Sequence, residues 1–388
     1  MYYDLTRGKI SRSLILFALP MIAGNLLQQF YNIADTLIVG RVLGSNALAA
    51  VGSSYTLMTF LTSIFLGLSM GAGALFSIYQ GRKDLSSLKL SILHAFLLIL
   101  AVTLVLNLAV YAGIEPILTF LRVPDEVRPG MRTYLLIIFA GLIATSVYNF
   151  FSCMLRALGN SSVPLIFLAV SAVLNIALDL LFVAVLPFAS QARRSLRFLR
   201  SMCPPSVFCS MCCSAAACGC RQKRMAFQHS ILKEILNLSS MTCIQQSVMN
   251  FGILMVQGLV NSFGPAVMAA FAAAVKIDTF AYLPVQDFGN AYSTFTAQNY
   301  GAGNHERIRR GTKDAFALSA AFSIVISLLV NLFAHPLMQI FVKASEMEVI
   351  AIGVQYLRLE GSFYLASDGC FCCTGITALS NAPRCRLF

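Results

Sequence analysis

The chain has 388 residues, 58% hydrophobic and only 11% charged, with a formal net charge of +12 and a mean hydropathy of +0.76. Soluble domains carry about 25% charged residues, so a water-soluble globular protein is excluded, and the length and apolarity exclude a small secreted disulfide scaffold. The positive charge requires no nucleic acid, because cytoplasmic loops of membrane proteins collect Lys and Arg.

Apolar runs long enough to cross a bilayer as helix fall at about 13–40, 46–80, 88–120, 130–156, 162–187, 231–262, 266–298, 312–341 and 347–375. Met1 to Arg12 is polar and basic, and the run behind it exceeds a signal-peptide core, so no cleavable leader is expected. Turn and charge signals separate the runs at Arg82-Lys83-Asp84, Val123-Pro124-Asp125-Glu126, Gly159-Asn160-Ser161, Gly264-Pro265 and Gly301-Ala302-Gly303-Asn304. A tenth span is needed between 188 and 224, yet Arg193, Arg194, Arg197 and Arg200 fall there. With no Trp, an interfacial aromatic belt rests on the 13 Tyr. The fold class expected is an all-α polytopic membrane protein.

Orientation follows from the basic residues. With the amino terminus inside, the cytoplasmic set is Arg7, Lys9, Arg12, Arg82, Lys83, Lys89, Arg156, Arg221, Lys223, Arg224, Lys233, Arg307, Arg309, Arg310 and Lys313, against Arg41, Arg122, Arg128, Arg132 and Lys343 outside. That bias places the amino terminus in the cytoplasm.

Shifted by 220 residues, the chain matches itself. Met21 meets Met241, Gly44 meets Gly264, Ala49-Ala50 meets Ala269-Ala270, Phe60 meets Phe280, Gly81 meets Gly301, Ala95-Phe96 meets Ala315-Phe316 and Pro116 meets Pro336. Apolar matches alone are cheap; Gly and Pro staying in step is more telling. An offset of six spans implies a parallel repeat, two six-helix lobes about an axis along the membrane normal, with a central cavity. The expected division is an amino-terminal lobe at 1–190, an aberrant sixth helix and linker at 191–224, and a carboxy-terminal lobe at 225–388.

Charge at bilayer depth costs at least about 2.5–3.5 kcal/mol, so each instance needs a reason. Asp35 lies in an otherwise apolar helix, and Asn175 and Asp179 share a face of another at i, i+4. These three form a candidate proton or ion site, with a structural hydrogen-bond network as the alternative. Lys276 and Asp278, two residues apart, face opposite sides of their helix, and they and Gln286-Asp287 have a functional or a structural part. Gln245, Gln246 and Asn250 suit helix–helix hydrogen bonding, and Met241, Met249, Met255 and Met268 suit packing or an adaptable pocket. His94, His229, His305 and His335 lack metal-ligand spacing. There is no phosphate-cradling glycine loop, nucleophile elbow or His-Glu-x-x-His, so neither an enzyme nor an ATP-driven pump is expected.

The sequence resembles the multidrug and toxic compound extrusion (MATE) family. The resemblance runs through Leu19-Pro20, Gln28 to Thr36, Val39 to Gly44, Ala47 to Gly52, Gly67 to Gly73, Leu155 to Asn160, Gln245-Gln246-Ser247 and Ala297 to Gly303, covering residues 1–187 and 225–365. It implies twelve helices in two bundles and export of amphipathic or cationic small molecules, driven by entry of protons or sodium and without a cofactor. It puts Asp35, Asn175 and Asp179 at the family's amino-terminal ion site. Gln28, Tyr31, Asn32, Gln246, Asn250, Lys276, Asp278 and Gln286 become substrate-cavity candidates. The carboxy-lobe acidic site of some members is expected to be missing, since Gln245-Gln246 stands there. The partners implied are a small-molecule substrate and the lipid bilayer of the plasma (inner) membrane, with no nucleic acid, and a monomer is expected. A lipid-linked oligosaccharide flippase of the same superfamily, or an inactive gene fragment, is the alternative.

Two stretches depart from the family. Residues 190 to about 220 and about 366 to 388 hold ten of the 12 Cys (Cys203, Cys209, Cys212, Cys213, Cys218, Cys220, Cys370, Cys372, Cys373 and Cys385). Both read as frameshifted translations: the frame joining each codon's third base to the next two bases permits Val-Ala-Gly-Ala-Ala-Leu from Ala189 to Ser195. On that reading the family pattern is truncated after about 366, and a metal knuckle is disfavoured because Cys212-Cys213 and Cys372-Cys373 lack the required spacing.

Overall fold

The computed structural model describes residues 3–43, 45–120, 128, 132, 135, 136, 139, 141–180, 228–261, 263, 265–342 and 346–380, and every regular element among them is helical. The helices are α1 (Ile10–Leu43), α2 (Ser45–Arg82), α3 (Leu85–Ala112), α4 (Ile114–Phe120), α5 (Leu142–Ala157), α6 (Ser162–Leu180), α7 (His229–Asn261), α8 (Pro265–Gly301), α9 (His305–Phe341) and α10 (Met347–Ser380). Among the described residues, Ile10–Phe30, Met58–Arg82, Leu85–Ala112 and His305–Phe341 are long and apolar enough to cross a membrane.

One expected span is two helices. The run at 88–120 breaks at Gly113, which ends α3 by donating its N–H to Ala109 O at 2.8 Å. Pro116 contributes to the stop together with Gly113, because its ring crowds the carbonyl four residues back, at Ala112, and it has no N–H to give. The Gly159-Asn160 turn works differently. Gly159 takes φ +87, Asn160 N donates to Leu155 O at 2.8 Å to close α5, and Asn160 Oδ1 accepts from Val163 N at 3.2 Å to open α6.

The 220-residue repeat governs the backbone. Helix starts at Ser45 and Leu85 recur at Pro265 and His305. Before the third helix of each repeat stands a residue with positive φ, Lys83 at +58 and Gly303 at +75. Each donates its N–H to the carbonyl three residues back (Gln80, Tyr300) at 3.1 Å. Asp84 then caps α3, its Oδ1 accepting from Ser87 N at 3.1 Å and Ser86 Oγ at 2.7 Å. Hydrogen bonds from the Ser87 and Ser86 side chains and the Ser87 amide hold the Asp84 carboxyl down to about 2.

The described chain groups into two compact units: Ala23–Phe76 with Asp84–Asn250, and Tyr2–Ile22 with Ser77–Lys83 and Phe251–Phe388. In the first, Gly67 and Gly71 of α2 lie against the backbone of Cys243 and Ser239 of α7, so close that a Cβ at either glycine would collide. Small residues allow that approach. Ser239 Oγ donates to Leu68 O at 3.1 Å across the same seam. One face of α3 carries polar ties at i, i+4 and i+8: Thr103 to Ser146 Oγ (2.8 Å), Asn107 to Phe139 O (2.7 Å) and Tyr111 to Leu136 O (2.8 Å). Phe76, Phe96, Phe150 and Phe151 fill the interior with ring centroids 5.3–6.2 Å apart.

In the second unit, Ala273, Ala274, Ile277 and Ala281 of α8 pack with Val330, Ala334 and Met338 of α9 and with Ile350, Leu357 and Tyr364 of α10. Leu5 and the first half of α1 (Leu14, Phe17, Ala18, Met21) pack on Ala291, Tyr292 and Phe295 of α8 and Ala315 of α9. Inside this unit α2 and α8 also cross reciprocally. Gly81 abuts the Gln298 carbonyl, and Gly301 abuts the Ile78 carbonyl, with no room for a Cβ at either. Positions 78 and 298, like 81 and 301, differ by 220.

Candidate functional site

A cluster of carboxyl and phenol groups lies in the second unit, between α8 and α10. On α8, Asp278, Tyr282 and Gln286 follow one another at i, i+4 and i+8; on α10, Tyr356, Glu360 and Tyr364 do the same. Both ladders lie on helices that pack extensively on one another. Tyr364 Oη donates to Asp278 Oδ1 at 2.7 Å, tying the ladders at one end. Tyr356 stands beside the Glu360 carboxyl and packs edge-on against Phe271 at 5.3 Å. Glu360 Oε2 is buried without a hydrogen-bond partner among the described residues. A carboxylate oxygen left so is an acceptor for a cation or proton. Tyr282 lies within the field of both Asp278 and the buried Asp287.

The other candidates are more scattered. Lys276 is exposed while Asp278 is half-buried. Gln246 Nε2 lies 3.6 Å from Met70 Sδ, and its own backbone carbonyl accepts from Asn250 Nδ2 at 2.9 Å; Gln286 is half-buried and Gln28 exposed. Tyr31, Asn32 and Asp35 fall on α1, and Asn175 and Asp179 sit one turn apart on α6; their side chains lie outside the described residues. So do residues 190–220. In the region of about 366 to 388, backbone helix is described only to Ser380.

Sequence reasoning missed Glu360 and the tyrosines around it. The signal was present as Tyr-x-x-x-Glu-x-x-x-Tyr in the last apolar run. It expected no acidic site on the seventh span, and the carboxylates stand instead on α8 and α10.

Helices long and apolar enough to cross a membrane, in a backbone that recurs at 220 residues, define an integral membrane protein. The chain matches the MatE family over residues 20–181 and 239–382. It belongs to that family, whose members are multi-pass membrane transporters that need no cofactor. The chain is 30% identical over 396 residues to a probable multidrug resistance protein, YpnP, of Bacillus subtilis (strain 168), covering 98% of this chain and 85% of that one. It is 24% identical over 366 residues to the probable multidrug resistance protein NorM of Thermotoga maritima, covering 93% and 78%. Its fold is that of a solved multidrug resistance MATE family transporter of the MOP superfamily in an outward-facing conformation. The TM-score is 0.85 at 20% identity, over 97% of this chain and 84% of that chain.

Proposed function

We propose that the chain is a secondary active antiporter of the plasma membrane, amino terminus cytoplasmic, exporting amphipathic or cationic small molecules in exchange for protons or sodium. The observation that carries this reading is the α8–α10 cluster. Two carboxylates, one with an unpartnered buried oxygen, lie among three tyrosines. Such a surface attracts an organic cation twice, by charge and through the ring faces, worth about 0.5–2 kcal/mol per cation–π contact. It would repel a phosphate-linked cargo. Members of its own family named as multidrug resistance proteins support the export reading.

The coupling ion enters, on this reading, at Asp35, Asn175 and Asp179 in the amino-terminal lobe (1–190). The carboxy-terminal lobe (225–388) supplies the substrate-facing Asp278 and Glu360, and a single chain suffices. Proteoliposomes with imposed proton or sodium gradients test it. The expected result is gradient-driven uptake of a cationic dye such as ethidium, weakened in Asp278→Asn and in Glu360→Gln. Equal uptake by both variants and the unaltered chain would remove the cluster from the function.

A further inference from the structure

The residues ahead of α1 form a strap held by side chains of the second repeat. Arg307, in the first turn of α9, donates from Nη1 to Gly8 O at 2.8 Å, from Nη2 to Arg7 O at 2.8 Å and from Nε to Leu5 O at 3.4 Å. Asn299 Nδ2 donates to Leu5 O at 3.1 Å, and Ser11 Oγ to Asp314 Oδ2 at 2.8 Å. Leu5 is fully buried beside Phe295, over whose ring the Arg307 guanidinium lies at 5.6 Å. A planar fork that reads the carbonyls of Leu5, Arg7 and Gly8 fixes both place and direction of the segment.

We infer that this strap is a conformational latch: while docked, it holds the first half of α1 on α8 and α9, and its release opens that face during the transport cycle. The inference rests on the export reading above. Three observations separate a latch from permanent scaffolding. The strap has no helix of its own before Ile10; it is held in place by the side chains of Arg307 and Asn299 together with the burial of Leu5, and Asp314 holds Ser11 in the first turn of α1. The repeat does not require it, since the positions equivalent to Arg307 and Asn299 are Ser87 and Tyr79. Finally, Asn299 gives both amide hydrogens away, to Leu5 O and to Phe295 O at 2.8 Å, and its Oδ1 stays buried with no partner among the described residues. An unsatisfied acceptor penalises the docked form, as a contact made and broken each cycle requires. Gly311 keeps the dock clear, because a side chain there would strike the Phe295 ring.

The test uses the full chain in lipid nanodiscs, read by hydrogen–deuterium exchange. Arg307→Ala is expected to speed exchange by at least about tenfold in residues 10–22 and 291–301 together, the worth of a single net hydrogen bond to a charged group. Arg307→Lys, the variant most certain to fold, falls in between, and Arg309→Ala, an exposed neighbour, changes neither segment. Faster exchange confined to residues 4–9 would overturn the latch and leave a tether. A second arm joins the start of α1, directly behind the strap, to α9 through Ser11→Cys with Asp314→Cys. Oxidation is expected to stop transport and reduction to restore it, relative to the unaltered chain treated alike. Full transport by the oxidised pair overturns the latch and leaves the export reading standing. If the unaltered chain moves no substrate, the export reading fails and the exchange arm alone decides the latch.

Discussion

At their helix ends the two repeats are nearly one structure; within the helices their chemistry parts. Lys83 and Gly303 share a positive φ and a backbone hydrogen bond of the same length, and Asp84 and Asn304 both precede a long helix. Yet the position equivalent to Asp278 is Met58, that of Glu360 is Ala140, and that of Asp35 is Met255. The backbone is duplicated and the carboxylates are not. Helix packing constrains small residues and turns in both halves alike, whereas an ionisable group in an apolar helix is costly and carries no such packing demand. A second difference isolates a cause. Pro116 stands just past a break and Pro336 lies inside the unbroken α9. Three residues before them stand Gly113 and Phe333, so the proline ends the helix only where a glycine precedes it.

The comparison is broken most severely by exchanging the chemistry. Asp35→Asn and Asp179→Asn are expected to abolish gradient-driven efflux with folded yield kept. Asp278→Asn should weaken transport of cations about tenfold, a factor set by one lost charge-assisted contact, and spare neutral cargo. Parallel assays in proteoliposomes check this, and identical losses for cationic and neutral cargo would merge the two roles. Next in size come the close approaches. Gly71→Val drives a branched side chain into the Ser239 backbone and should cost about 3 kcal/mol in thermal unfolding, whereas Ala291→Val, at the equivalent position, should cost less if the two seams differ in tightness.

Smaller effects sharpen the likeness of the helix ends. Asp84 accepts hydrogen bonds at its cap, but the Asn304 side chain makes none. Asp84→Ala should therefore cost about 1 kcal/mol and Asn304→Ala clearly less. The Asp84 carboxyl is depressed to about 2 from 3.8. Its contribution is thus complete above pH 4 and fades as pH falls from 4 towards 2, a window that Asp84→Ala should erase from the stability profile. The smallest effect is a gain: Lys83→Gly, at φ +58, should stabilise by about 0.5–1 kcal/mol, measured by chemical denaturation.

Much of the fold was legible because membrane spans announce themselves by length, and because Gly81, Gly301, Pro116 and Pro336 kept the repeat in step. The break at Gly113 was not, since both pieces are equally apolar and hydropathy is blind to a missing N–H. The site was half legible. Asp278 stood out as a charge in a greasy run, but its partner Tyr364 is 86 residues away, and no pattern along one helix reveals a contact between two. Glu360 lies mid-way along the 347–375 run and was passed over, because Arg358 two residues before it makes that stretch polar without marking one face. The frameshift reading of 190–220 falls outside the described residues and remains a matter for the nucleotide sequence. An uninterrupted shifted frame there, encoding an apolar span, is the expected finding, and stop codons in that frame would end it.

The reciprocal crossing at Gly81 and Gly301 carries a longer consequence. A contact in which residue 78 meets 301 while residue 298 meets 81 is the kind a two-fold homodimer makes with itself. In such a dimer every substitution is made twice, so a carboxylate gained on one helix appears also on its symmetry mate, and two like charges enter the membrane together. Joining the halves in one chain lifts that obligation. Position 278 can become Asp while position 58 stays Met, and the crossing, which needs only two glycines, is inherited unchanged.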